Sequence, residues 1–142
     1  MIVSDVIRVK GDQVVTISSD ATVGQLVALL AEKGIGAVVV SDDGQSVTGI
    51  VSERDVVLHL GSEGGAVLDG PVSGIMTTDV HTCSLGDDIE ALAAQMTEHR
   101  VRHLPVVVNG HLHSIISIGD VVKSHISQLR DERDHLVGYL HQ

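Results

Sequence analysis

The chain has 142 residues, 43 % of them hydrophobic, which is one ordinary domain with material for a real core. Its single aromatic, Tyr139, leaves that core to Val, Ile, Leu and Ala, and no apolar run approaches the ~20 residues of a membrane span. Nineteen acidic against nine basic side chains give a formal charge of −10, which disfavours nucleic-acid backbones and requires any small-anion site to be locally basic.

Residues 1–13 carry no basic region followed by an apolar stretch, so they do not read as a signal peptide and are expected to pack on the folded module, against its second half. From residue 14 the chain repeats itself. Residues 14–57 align with 79–122: Thr16 with Thr82, Ser18 with Ser84, Leu26 with Leu92, Glu32 with Glu98 and Val40 with Val106. The offset is 66 residues and becomes 65 after one turn, where Ile50, Ser52 and Asp55 match Ile115, Ser117 and Asp120. Internal repetition sets architecture. Two copies predict a pseudo-twofold pair around one shared core, with two related clefts between the halves.

The first copy, residues 14–60, reads as strand Val14–Ile17, then a helix with Val23, Leu26, Val27 and Leu30 on one face. The apolar strand Ala37–Val40, the turn Asp42-Asp43-Gly44 and a returning strand Thr48–Val51 follow, leading into a last helix. Residues 61–75, with five Gly and a Pro, read as a flexible Gly-rich link. The second copy, residues 76–124, runs in the same order: strand Val80–Cys83, a helix carrying Ile89, Leu92, Ala93 and Met96, strand Leu104–Val108, turn Asn109-Gly110 and strand Ser114–Ile116. Cys83 matches Ile17 and so reads as a small apolar residue; a lone cysteine fits a reducing compartment, and a cytosolic protein is expected. The fold class is α+β, two βαββα repeats packed as one pseudo-twofold module with a long C-terminal helix. That helix extends over residues 125–142 beyond the repeat, and Val122, Ile126, Leu129, Leu136 and Leu140 lie along one side, interrupted by Arg133. The stripe suits self-association into a homodimer better than coverage of the chain's own core.

Each strand-to-helix junction carries Ser-x-x-Asp: Ser52 with Asp55, and Ser117 with Asp120. One reading is a capping box, which satisfies orphan N–H groups at a helix start. The other is a nucleotide site. A helix N-terminus attracts phosphate, the Ser hydroxyl can donate to it, and the carboxylate one turn on can accept the two hydroxyls of a ribose. The residues alone leave these two readings even.

Gly-Ile-Val-Ser-Glu-Arg-Asp at 49–55, Arg-His-Leu-Pro-Val-Val at 102–107 and Ser-Ile-Gly-Asp-Val-Val at 117–122 resemble the cystathionine β-synthase (CBS) domain, as do the openings at 14–17 and 79–82. The likeness covers roughly residues 3–124 and is similar to a stand-alone tandem pair of the bacterial type. It implies clefts for adenine nucleotides such as AMP, ATP or NAD, and stacking of two modules into a disc-shaped dimer. Carried over by residue, it implies a first cleft with Ser117 near phosphate, Asp120 on the ribose, Ile115 supplying backbone, and Arg102 and His103 on phosphate. Val14 or Val15 would line the base there, with Gly36 close by. The second cleft would use Ser52, Asp55, Ile50 and Val80 or His81, with Arg54 as a partial substitute for the missing basic pair. Because Arg102 and His103 replace Gly36 and Ala37, tighter binding is expected at the Asp120 cleft. One departure stands out: Ser114 occupies the place of the expected Gly, which puts a close backbone contact in question.

The residues do not read as an enzyme. There is no nucleophile elbow, no Walker-type loop and no carboxylate pair beyond the two capping acids. His99 with His103, and His111-x-His113, lack the three or four convergent ligands of a zinc site, so no metal is expected and His111 and His113 are placed at the surface. The function expected is a non-enzymatic regulatory module that binds adenine nucleotide and signals to a separate effector protein. A structural homodimerisation module without ligand is the alternative from another class. A nucleotide hydrolase is a third reading.

Overall fold

The Ser and Thr residues that end each strand or loop set where the helices begin. In the computed structural model, which describes residues 1–141, Thr22, Ser52 and Ser117 each accept from the backbone N–H three residues on, in complete capping boxes, and Asp88 caps a fourth helix. The elements are α1 (Val3–Lys10), β1 (Thr16–Ile17), α2 (Val23–Lys33), β2 (Ala37–Val40), β3 (Gly49–Ser52), α3 (Glu53–Glu63), α4 (Ile89–His99), β4 (His103–Val108), β5 (His111–Ser117) and α5 (Ile118–Leu140). None of these helices is long and apolar enough to cross a membrane.

In the first repeat β1 lies parallel to β2 and β3 returns antiparallel, Val39 facing Ile50 and Ala37 facing Ser52. Gly44 takes a left-handed conformation in the first turn, and Asn109 and Gly110 both do so in the second, as a tight hairpin requires. The second repeat keeps the pattern with a reduced first strand. Cys83 alone bridges in parallel to Val106, while β4 and β5 pair from His103–Ser117 to Val108–His111 with a bulge at Val106/Val107.

The expected single core is two cores. Val23, Leu26, Leu30, Val38, Val40, Val51, Val56, Val72 and Ile75 form one, around the first repeat. Val3, Val6, Ile7, Cys83, Ile89, Leu92, Met96, Leu104, Val106, Ile116 and Val121 form the other, around the second. Each repeat is thus completed by the segment that precedes its sister: α1 packs on the second repeat, and residues 72–76 pack on the first. Two small cores arise because each sheet is short and buries its inner face under its own two helices.

Residues 61–75 are correspondingly not a loose link. Helix α3 runs to Glu63, two 3-10 turns span Gly65–Asp69 and Val72–Gly74, and Val72 is fully buried. Backbone bonds from Val23 to Gly70 and from Val72 to Ala21 tie the segment to the start of α2. The glycines supply turns, while Val67, Val72 and Ile75 supply the packing. The C-terminal stripe is uncovered: Val122, Ile126, Leu129, Leu136 and Leu140 are exposed, and α5 buries Val121 and Ser124 instead. Gln142, the last residue of the expected extension, lies outside the described residues.

Candidate functional site

Both Ser-x-x-Asp pairs form the same closed arrangement. The Ser52 N–H donates to Asp55 Oδ2 at 2.8 Å, its hydroxyl donates to the same oxygen at 3.1 Å, and the Asp55 N–H donates back to the hydroxyl at 3.3 Å. Around Ser117 and Asp120 the three distances are 2.9, 3.0 and 3.1 Å. Each Ser proton is therefore spent on its own Asp rather than held out to a phosphate. The first N–H of each helix is also engaged, Glu53 donating to the Gly36 carbonyl and Ile118 to the Arg102 carbonyl. Two donors that the helix start was expected to offer a phosphate are thus taken, and side-chain cations must supply most of any anion binding.

Those cations are gathered at one place. A cleft of about 670 Å³ between the repeats is lined by Ile50, Ser52, Arg54 and Asp55 from the first, and by Val80, His81, Arg100, Arg102 and His103 from the second. Its size is within the ~300–1,000 Å³ of small-molecule sites. The Asp55 carboxylate presents Oδ1, which accepts no bond from the described residues. Glu53 and Asp79 also line the cleft, so its charge is mixed, with the arginines concentrated on the second repeat.

Arg102, His103 and Gly36 were expected on the Asp120 cleft, and the structure places all three on the Ser52–Asp55 cleft. The reason is the path of the chain. His103 pairs with Ser117 of its own repeat, but the segment leaving α4 faces the other one, so that a Cβ built on Gly36 would lie 3.9 Å from His103 Cε1 and 3.3 Å from Glu53 Oε1. Arg102 and His103 thus line the Asp55 cleft, while His103 also lies within electrostatic reach of Asp120, the carboxylate of its own repeat. His103 is half-buried, and burial, then the charge of Lys10, hold its imidazole below the ordinary range against smaller pulls from Asp120 and Glu53.

At the other junction the Asp120 carboxylate is already engaged. Lys10, the last residue of α1, places its ammonium 2.6 Å from Asp120 Oδ2 and 2.6 Å from the Ile115 carbonyl. Burial by itself would raise the Asp120 pKa, but hydrogen bonds from Lys10 and Ser117 together with the Lys10 charge outweigh it and hold the carboxyl below its usual value. Val14 and Val15 are half-buried, and Val15 packs against the core of the first repeat. Ile50 differs from Ile115 in that its N–H and carbonyl are both bonded to Thr77.

The Gly49/Ser114 difference also has a structural cause. A Cβ on Gly49 would meet Met76 Sδ at 2.8 Å and the Thr77 carbonyl at 2.9 Å, so the glycine admits the crossing chain rather than a ligand. Ser114 is fully buried on the core side of β5, and its hydroxyl has no partner among the described residues. Two site residues were not singled out from the sequence. Arg100 lines the basic side of the cleft from a left-handed conformation, φ 55°, at the position where the first repeat has Gly34, φ 63°. Lys10 lay in a segment read only for packing. Pairing the repeats position by position exposes Gly34→Arg100; nothing local marks Lys10.

The remaining histidines and the cysteine fall elsewhere. The His99 ring stacks on His81, centroids 4.0 Å apart. His111 is exposed, whereas His113 is half-buried and not at the surface as expected. Burial pushes the Cys83 thiol up to about 12, with a smaller push from Asp87, so it is an inert core group.

The CBS domain family model matches this chain twice, at residues 3–62 and 72–127. The crystal structure of a CBS-domain containing protein from Agrobacterium tumefaciens is 44 % identical, superposes with a TM-score of 0.85, and covers 88 % of this chain and 99 % of its own. A CBS domain protein from Pyrobaculum aerophilum, solved in complex with AMP, is 28 % identical with a TM-score of 0.74, over 84 % of this chain and 89 % of that one. A mitochondrial CBS domain-containing protein of Arabidopsis thaliana is 30 % identical over 97 % of this chain and 71 % of its own length. Both matched segments include a helix or turn that packs on the opposite repeat, the same exchange that the two cores display, and this chain belongs to the CBS domain family as a tandem pair.

Proposed function

We propose that this chain is a non-enzymatic regulatory module that binds an adenine nucleotide, AMP, ATP or NAD, between its repeats and passes a change of shape to a partner protein. The observation that carries this reading is the convergence of Asp55 with Arg100, Arg102 and His103 in one cleft. The ribose hydroxyls fall to Asp55 Oδ1, the phosphate to the two arginines and His103, and the base to Val80 and His81. The AMP complex of the Pyrobaculum relative supports the ligand class. A shift in the angle between repeats can signal only if the ligand prefers one angle over the other. The exposed stripe on α5 supports a homodimer as the signalling unit, and the acidic surface a cytosolic protein partner rather than nucleic acid.

Isothermal titration of AMP, ATP and NAD tests the proposal. Binding that weakens at least tenfold in Asp55→Ala and in Arg102→Ala, and that declines with salt, is the expected result. The complete capping boxes favour one competing reading, a structural dimerisation module in which Ser52–Asp55 and Ser117–Asp120 only start helices. No heat with any nucleotide, from a folded protein, would establish that reading instead.

A further inference from the structure

The chain has neither Phe nor Trp, and its one Tyr, Tyr139, lies exposed near the end of α5. The aromatic rings that line the cleft between the repeats are therefore those of two histidines, His81 and His103. His103 stands beside Arg102, whereas His81 is half-buried and has a second ring behind it. The His99 imidazole stacks on that of His81, with centroids 4.0 Å apart and an interplanar angle of 17°. His81 lines the cleft and His99 does not, so the His81 ring stands between His99 and the cleft space. One face of that ring is covered, and the other is left for a flat group. The first repeat has no equivalent. At the repeat offset His81 matches Val15 and His99 matches Lys33, so neither ring of the stack has a counterpart. The same stretch exchanges Gly34, Gly36 and Ala37 for Arg100, Arg102 and His103. The ring that backs His81 thus comes from the run that supplies the basic wall of the cleft. His99 is the last residue of α4, and the left-handed Arg100 beside it ends the helix.

Resting on the nucleotide reading proposed above, we infer that His99 is a positioning residue for the base. It holds the His81 ring parallel to its own, so that the open face of His81 receives the nucleobase as the third layer of a stack. An unsupported imidazole turns easily about its last side-chain torsion, whose preference is broad, and can meet a base edge-on. Stacking on His99 removes that freedom before the ligand arrives, which lowers the ordering cost of binding. Stacking accepts any nucleobase, because every base has a π-face. The pair therefore selects a nucleotide over a bare sugar phosphate and leaves the choice among bases to other groups.

The test is a double-mutant cycle on AMP affinity, measured by titration calorimetry for the natural chain, His81→Ala, His99→Ala, the two combined, and His99→Phe. A thermal melt of each protein confirms folding. His81→Ala is expected to weaken binding about tenfold, the loss of one base–aromatic stack, and His99→Ala about fivefold. Because His99 acts through His81, the combined variant is expected to bind no more weakly than His81→Ala alone. His99→Phe keeps a flat ring behind His81 and is expected to bind as the natural chain does. Losses that multiply in the combined variant overturn the inference, since His99 then acts independently of His81. Unchanged affinity in either single Ala variant overturns it as well, as does a His99→Phe protein as weak as His99→Ala. Each of these results leaves AMP binding at the Asp55 cleft standing. No binding by the folded natural chain overturns both the inference and the reading beneath it.

Discussion

Arg100 shows what a single side chain reveals when its backbone is unfavourable. A left-handed conformation costs a non-glycine residue about 1 kcal/mol, and the first repeat avoids that cost with Gly34 at the same place. The second repeat accepts it and gains a guanidinium on the cleft wall. Arg100→Gly is therefore expected to raise stability, by up to about 1 kcal/mol in urea denaturation, while weakening nucleotide binding. A loss of stability with unchanged binding would show that Arg100 serves the fold alone. Ser114 is the opposite case: its buried hydroxyl has no partner in the described residues, and nothing in the structure explains why a hydroxyl stands there.

At the scale of elements, the exchange of leading segments joins the repeats. Val72 sits among five glycines and a proline, a composition that suggests mobility, and is nevertheless fully buried under α2 and α3. Its backbone N–H donates to the Ala21 carbonyl, and Pro71 bridges to Thr22. Truncation to Ala removes two methyl groups from a packed core, at a cost of about 2 kcal/mol including the cavity left behind. Val72→Ala is thus expected to lower the urea midpoint clearly, whereas a free linker would tolerate it within a few tenths of a kcal/mol. The helices follow the same logic in reverse. Two of their starts are legible in the sequence because Ser52 and Ser117 cap by local hydrogen bonds that need no tertiary partner, and Thr22 and Asp88 cap in the same way.

For the whole molecule, charge and burial meet at His103. It stands between the repeats, with Lys10, Asp120, Glu53 and Arg102 around it, and its imidazole is held below the ordinary value near 6.5. An unfolded chain takes up this proton near pH 6.5, whereas the folded chain takes it up only at lower pH. Stability is therefore full above that pH and falls as pH drops towards the folded value. Urea midpoints measured from pH 7.5 to 5.5 are expected to decline, with a shallower decline in His103→Asn. An equal slope in both proteins would remove His103 as the source. The acidic global charge adds a constraint of its own, since it makes the cluster of Arg100, Arg102 and His103 a local exception in the field of the molecule.

The sequence by itself determined the α+β class, the repeated order of elements apart from the reduced first strand of the second repeat, the hairpin turns and the place of both Ser-x-x-Asp pairs at strand-to-helix junctions. Each of these depends on interactions within a few residues, or on a repetition that can be read by alignment. Only the tertiary structure decided that Arg100, Arg102 and His103 line the Asp55 cleft, that there are two cores and not one, and that Lys10 pairs with Asp120. These depend on where the chain goes after α4 and after α1, and the contacts concerned join residues as far apart as Lys10 and Asp120. Local patterning carries no information about such pairs, because the energy that brings them together comes from burying Val3, Val6 and Ile7 against the distant repeat.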